Sequence, residues 1–393
     1  MIRWAVLATA MAGCLDSPPA AVAGPQASLA LAGVTARGDL DLDGHDDLVI
    51  TGIRRDDTGE LPVALVLFAS TTGMEAAVAG GGIVELEVDP REIAMTRRED
   101  VTGLAVLLAP DGSLSALDEA LDIAPLVPTD GDSPLDRAFG HVATLETSPG
   151  QRLLLSQTGD LWVTDPIEGE SDLSDIPADL LASGAAIEWL DGVDVAGSHV
   201  VASVTAAGEI DARVFMSGDP PTLEPDLVSE STQTALGSVL WRGTSHDFLY
   251  LIGIDRDIPR VFWHRTPLGA GEITSGFVLE DTYDVIFDIS FAVVGGGAPD
   301  LLVLGERGGA LVVDMYGDPM ANDAFDIGSP ASWTVTGDVA TPAWIDAMDA
   351  VGDTGNDEII VYDQAGHIAC ADRNGPGNLV SCGNADLVEM PGG

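Results

Sequence analysis

The stretch Gly38-Asp39-Leu40-Asp41-Leu42-Asp43-Gly44-His45-Asp46-Asp47-Leu48-Val49-Ile50 ends in a short apolar run, and that ending recurs down the chain. After Asp47-Leu48-Val49-Ile50 come Gly103-Leu104-Ala105-Val106, Arg152-Leu153-Leu154-Leu155, His199-Val200-Val201-Ala202, Asp247-Phe248-Leu249-Tyr250, Asp300-Leu301-Leu302-Val303 and Asp357-Glu358-Ile359-Ile360. The first residues of successive runs are 56, 49, 47, 48, 53 and 57 positions apart. A repeat of about fifty residues is the period of a β-propeller blade with modest loops.

The second half of each unit repeats as well. Most runs lead through a Gly turn into another strand, as in Asp111-Gly112-Ser113-Leu114 and Thr158-Gly159-Asp160-Leu161-Trp162. Gly208, Gly309 and Gly366 hold the same place later in the chain. Gly suits such turns because it takes positive φ at no steric cost. Unit one has a longer turn around Gly59, and unit five replaces the Gly with Ile258-Pro259. Between turns the composition is that of strands, as in Val63–Phe68, Ile83–Val88 and Val261–Trp263. Asp118–Ile123 and Ala178–Ala182 are the two stretches that read as helical turns. The expected fold is all-β, a seven-bladed β-propeller of four-stranded antiparallel blades, formed as a single domain over residues 29–393. Two sandwiches end to end would need an internal linker, which the even spacing leaves no room for. A propeller grows by adding blades, so a chain this long need not be divided.

Composition narrows the function. The chain has 393 residues, 16 basic against 64 acidic, and a net charge of −48. All the basic residues are Arg. Phosphate backbones select basic surfaces, so a nucleic-acid partner is not expected. Hydrophobic residues make up 46% of the chain, too many for an acid-rich disordered polypeptide. No apolar run reaches the ~18 residues needed to span a bilayer.

Residues 1–13 read as a targeting segment: one positive residue, Arg3, then a short apolar stretch from Trp4 to Met11. Met11-Ala12-Gly13-Cys14 resembles the bacterial lipoprotein signal, which implies cleavage before Cys14 and lipidation of that residue. Leu15 follows the Cys, where an Asp would retain the protein at the inner membrane. The resemblance therefore implies an outer-membrane lipoprotein, periplasmic or surface-exposed, touching the membrane only through its lipid. Residues 14–28 then form the lipidated Cys and a tether rich in Pro. The other cysteines, Cys370 and Cys382, suit an oxidising compartment, and a disulfide between them would stabilise the fold by ~3 kcal/mol.

The loop within the opening stretch carries the sharpest chemistry. Carboxylates stand at its positions 1, 3, 5 and 9, as Asp39, Asp41, Asp43 and Asp47. Two like charges ~4 Å apart cost about 4 kcal/mol at an effective dielectric near 20. A hard divalent cation reverses that sign, and Ca²⁺ prefers such all-oxygen ligands. Gly44 permits the sharp turn, and the main-chain carbonyl of His45 completes the set. An EF-hand is excluded, because its twelfth position needs Glu and here is Ile50, within a strand. The pattern resembles the FG-GAP/VCBS repeat of integrin-α-type propellers. That resemblance implies a Ca²⁺ site made by Asp39, Asp41, Asp43, the His45 carbonyl and Asp47. The last unit keeps part of the pattern in Asp349, Asp353 and Asp357, a possible second metal site. The intervening units lack it; unit two, for example, has Met95, Arg97, Glu99 and Gly103 in the four places.

Asp111–Asp118 and Thr158–Asp165 are also similar to quinoprotein-type propeller repeats, a group that includes dehydrogenases and outer-membrane assembly scaffolds. Both resemblances imply a propeller; they part on function. No metalloprotease, serine-hydrolase or phosphate-loop motif is present. The six His residues share no register, and Trp162, Trp189, Trp241, Trp263 and Trp344 read as blade packing. The expected protein is therefore a non-enzymatic, adhesion-like binding or scaffold lipoprotein with structural Ca²⁺ and a protein or polysaccharide ligand. The alternatives are a quinone-dependent dehydrogenase, a polysaccharide-active enzyme or an outer-membrane assembly scaffold.

Overall fold

The structure is a computed structural model describing residues 28–384, apart from 57–58, 70–81, 99–101, 132, 136–137, 148–149, 169–172, 185, 196–197, 206–208, 225–227, 232–237, 243–247, 256–257, 268–273, 293–299, 318, 320–326, 349–357 and 372–377. Some further residues, including the inner strand of blade 5, are described by backbone alone. Residues 1–27, with Cys14 and the segments expected to be signal and tether, lie outside the described residues, as do Asp349, Asp353 and Asp357.

The chain forms a seven-bladed β-propeller. The inner strands are Ser28–Gly38, Glu92–Arg98, Phe139–Glu146, Ile187–Val195, Ser238–Arg242, Val285–Ala292 and Ala343–Met348. Each pairs antiparallel with a second strand: Asp47–Asp56, Thr102–Leu108, Gln151–Gln157, Ser198–Thr205, Phe248–Asp255, Asp300–Arg307 and Glu358–Asp363. Third strands follow at Gly59–Leu67, Leu114–Asp118, Asp160–Thr164, Glu209–Met216, Arg260–Pro267, Ala310–Tyr316 and His367–Ala371. Outer strands are Gly82–Glu85, Ile123–Leu126, Ile176–Ser183, Thr222–Leu223 with Val228–Ser231, Thr274–Val278, Ala331–Val335 and Asn378–Asn384. Among the described residues there is no helix, hence none long and apolar enough to cross a membrane.

Apart from Asp247 and Asp357, which lie outside the described residues, the recurring runs fall at the start of second strands. These runs are continuously apolar because both faces of a blade are covered. Leu48 and Ile50 point into the core shared with blade 7, beside Ile360, Tyr362 and Ile368. Val49, between them, points into the core shared with blade 2, beside Ala105, Leu107 and Leu117. All three are completely buried. Burying such side chains contributes about 1.5–3 kcal/mol each. The Gly turns are also where expected: Gly112, Gly159 and Gly366 have φ of 84°, 93° and 84°.

Three details differ from expectation. Ala178–Ala182 is strand rather than helical turn, because Ile176 and Ala178 alternate into the core between blades 2 and 3. Asp118–Ile123 is the turn of a hairpin, where Asp118 accepts the N–H groups of Ala120 and Asp122, both at 3.0 Å. The sheets are not wholly antiparallel. Pro128–Asp130 runs parallel to the outer strand of blade 3, and the outer strands of blades 6 and 7 pair in parallel through Thr334 and Asn378.

Blades 1 and 7 close the ring by side contacts rather than by a shared sheet. Leu31 N donates to Gln364 O at 3.1 Å, and Thr35 Oγ1 donates to Asp346 Oδ2 at 3.1 Å. Trp344 stacks on Tyr362 with ring centroids 5.7 Å apart, beneath the inner strand of blade 1.

Candidate functional site

The acidic loop is a hook between the inner strand of blade 1, which ends at Gly38, and the second strand, which begins at Asp47. Its tight path uses left-handed backbone at Leu42 (φ 56°) and Gly44 (φ 93°). Carboxylates hold the turn from inside. Asp41 Oδ1 accepts Asp43 N at 3.1 Å, Asp43 Oδ1 accepts His45 N at 2.9 Å, and Asp39 Oδ2 accepts Gly44 N at 3.0 Å.

These bonds bring Asp39, Asp41 and Asp43 together, with one carboxylate oxygen of each within 4.8 Å of the others. Asp39 Oδ1 is buried and has no hydrogen-bond partner. Burial, and then the charge of Asp43, raises the Asp41 carboxyl above the usual range. The donor set is all hard oxygen, the chemistry that suits Ca²⁺ rather than a thiolate- or imidazole-seeking metal.

Asp47 is placed differently from the other three. It is fully buried; Oδ2 accepts Leu40 N at 2.8 Å and Oδ1 accepts Ala69 N at 2.7 Å. Its carboxylate clasps the start of the hook to the chain leaving the third strand, and burial pushes it up to about 7.

The hook is seated on blade 2. Leu40 is buried in the core between the blades, and its carbonyl accepts Gly103 N at 2.9 Å. A Cβ at Gly103 would lie 2.3 Å from Asp39 O, closer than non-bonded atoms approach. Arg37, just before the hook, donates through Nε to Asp46 Oδ2 at 2.7 Å and through one terminal nitrogen to Ala347 O at 3.1 Å. The hook thus reaches the blade on either side.

A second feature was not anticipated from sequence. A cavity of about 750 Å³ lies against the inner strands of blades 1–4, lined by Arg91, Glu92, His141, Trp189 and Asp191 among others. Glu92 crosses from blade 2 to blade 3, where Oε2 accepts Val142 N at 3.0 Å and Oε1 meets His141 Nδ1 at 2.5 Å. Asp191 Oδ1 accepts Gly192 N at 2.8 Å, and burial pushes this carboxyl up to about 7. Trp189 thus contributes to the wall of this cavity. Common placement on successive inner strands was the one signal linking these residues.

Of the two distal cysteines, Cys370 is buried on the third strand of blade 7. Cys382 belongs to the outer strand paired with it, and its side chain lies outside the described residues.

No family model matches the chain, and no curated protein matches it in sequence. Solved structures do match in shape. BBS1N, in a crystal structure of its complex with ARL6DN, is 13% identical, with a TM-score of 0.51 over 89% of this chain and 95% of that one. A putative 6-phosphogluconolactonase from Bacteroides uniformis is 12% identical, with a TM-score of 0.42 over 79% of this chain and 99% of that one. The fold and the likeness to BBS1N define the class: a β-propeller.

Proposed function

We propose that the protein is a non-enzymatic binding or scaffold propeller of the bacterial cell envelope, of FG-GAP/VCBS type, with a structural Ca²⁺ in the hook of blade 1. The observation that carries the metal reading is the unpartnered, buried Asp39 Oδ1 at the meeting point of three carboxylates. Asp39, Asp41 and Asp43 would hold the ion, with the His45 main-chain carbonyl as a further oxygen ligand and Asp47 behind them as the clasp. The ion supplies positive charge that relieves carboxylate repulsion; no reaction is assigned to it. A metal bound only by the folded form adds stability by mass action.

The binding role is supported by the ring architecture. The propeller BBS1N, similar in fold, was crystallised with a partner, ARL6DN. The anchor remains the lipid on Cys14, directing the protein to the outer membrane. Antiparallel pairing of the strands carrying Cys370 and Cys382 supports a disulfide between them.

Thermal melting tests the metal. Ca²⁺ added to chelated protein raises the melting temperature, Mg²⁺ does so far less, and Asp43→Ala abolishes the rise. An unchanged melting temperature in saturating Ca²⁺ removes the metal from this reading. Fatty-acid labelling lost in Cys14→Ser tests the anchor, and a pull-down from the native envelope tests for a partner.

A further inference from the structure

The channel cavity has the dimensions of a small-molecule site, which is roughly 300–1,000 Å³. Its wall is polar, with one aromatic plate. Trp189 presents an apolar body with an N–H at its edge, a side chain suited to stacking against a partly polar ring. The polar groups beside it are held in place. Glu92 is fixed by Val142 N and orients His141 through Nδ1, so the other imidazole nitrogen is on the far side of the ring from that carboxylate. Asp191 uses one oxygen on Gly192 N. Near neutrality its carboxyl can both donate and accept, because burial pushes it up to about 7.

The charges argue against an anionic ligand. Arg37 is already directed at Asp46 and at the carbonyls of Phe291 and Ala347. Arg91 is directed at the Phe139 carbonyl. Neither is an unengaged anion clamp, and a chain with a net charge of −48 repels polyanions. An occupant with many hydroxyls, an apolar face and no charge meets every one of these groups.

We infer that the cavity on the inner strands of blades 1–4 binds an uncharged saccharide, with a sugar face stacked on Trp189 and its hydroxyls hydrogen-bonded to Asp191, Glu92 and His141. This deepens the binding-protein reading by naming a ligand class, and it is independent of the hook's metal.

Isothermal titration of the full-length protein with maltohexaose, cellohexaose, xylohexaose and chitohexaose tests it, with a hexamer of galacturonic acid as the charged comparison. Saturable binding of at least one neutral oligomer is expected, with the charged oligomer at least tenfold weaker. Trp189→Ala and Asp191→Asn should each weaken binding at least tenfold, while Trp189→Phe retains most of it. Melting temperatures recorded alongside separate lost binding from lost folding. Binding of none of the neutral oligomers, preference for the charged one, or binding indifferent to all three substitutions overturns the inference. Failure here is distinguishable from failure of the scaffold reading, which is decided by the envelope pull-down.

Discussion

Blades 1 and 2 turn the same corner, from inner strand to second strand, with opposite chemistry. At the start of the second strand blade 1 has Asp47, whose carboxylate takes two buried main-chain N–H groups. Blade 2 has Gly103 there, and its missing side chain leaves room for the backbone of the blade 1 hook. Equivalent places in a repeat are thus not equivalent in chemistry. The blade 1 hook needs a flat neighbour to sit on, so a side chain at position 103 would press against its backbone.

Substitutions in the two corners would break or sharpen that contrast, and one in blade 4 extends it to another buried acid. The two largest effects are expected at Leu40 and Asp47, and Leu40→Ala empties a fully buried position between the blades. It should cost about 2–5 kcal/mol in urea unfolding and loosen the hook with it. Next is Asp47→Ala, which leaves the Leu40 and Ala69 N–H groups buried and unpaired at about 1–3 kcal/mol each. That loss should appear equally in chelator and in Ca²⁺, whereas Asp43→Ala, which removes one exposed turn hydrogen bond, should cost more in Ca²⁺ than in chelator. Equal Ca²⁺ dependence for both variants would make Asp47 a ligand instead of a clasp.

Gly103→Ala should cost about 1–3 kcal/mol, since a backbone oxygen cannot step aside as a flexible side chain can. The same substitution at Gly150, where the nearest atom to an added Cβ is 3.4 Å away, should be milder.

The smallest effect concerns Asp191 and is read from pH. Its folded pKa, about 7, is raised above the ordinary 3.8. Between those values the folded protein holds a proton that the unfolded chain has lost, so this group's contribution to stability falls as pH rises. Asp191→Asn removes that dependence. The variant should gain on the parent at pH 8 but not at pH 4. Parallel stability curves across that range would refute the buried-acid assignment.

Much of this molecule was readable in one dimension. Second strands such as Leu48–Ile50 stand out because a blade covered on both sides needs apolar residues without alternation. The turns at Gly112, Gly159 and Gly366 stand out because left-handed backbone favours a residue without Cβ. Ala178–Ala182 misled because small apolar residues suit a helix as readily as a strand, and only the core between blades 2 and 3 settles the choice. The hook was legible as a cluster of carboxylates, but not as three that converge and one that clasps. That division depends on the main-chain N–H groups of Leu40 and Ala69, and Ala69 lies 22 residues from Asp47.

From the amino-acid order alone followed the blade period, the turns, the acidic hook and the surplus of negative charge. Each is local: a strand run, a Gly or a row of carboxylates acts through neighbours a few residues away. Only the closed ring decided which blade seats the hook, how Trp344 and Thr35 seal blade 1 to blade 7, and that Trp189, Asp191, Glu92 and His141 face one cavity. Those relations join residues about fifty or several hundred positions apart. They come from the angle at which successive sheets pack, and no single stretch of sequence carries that angle.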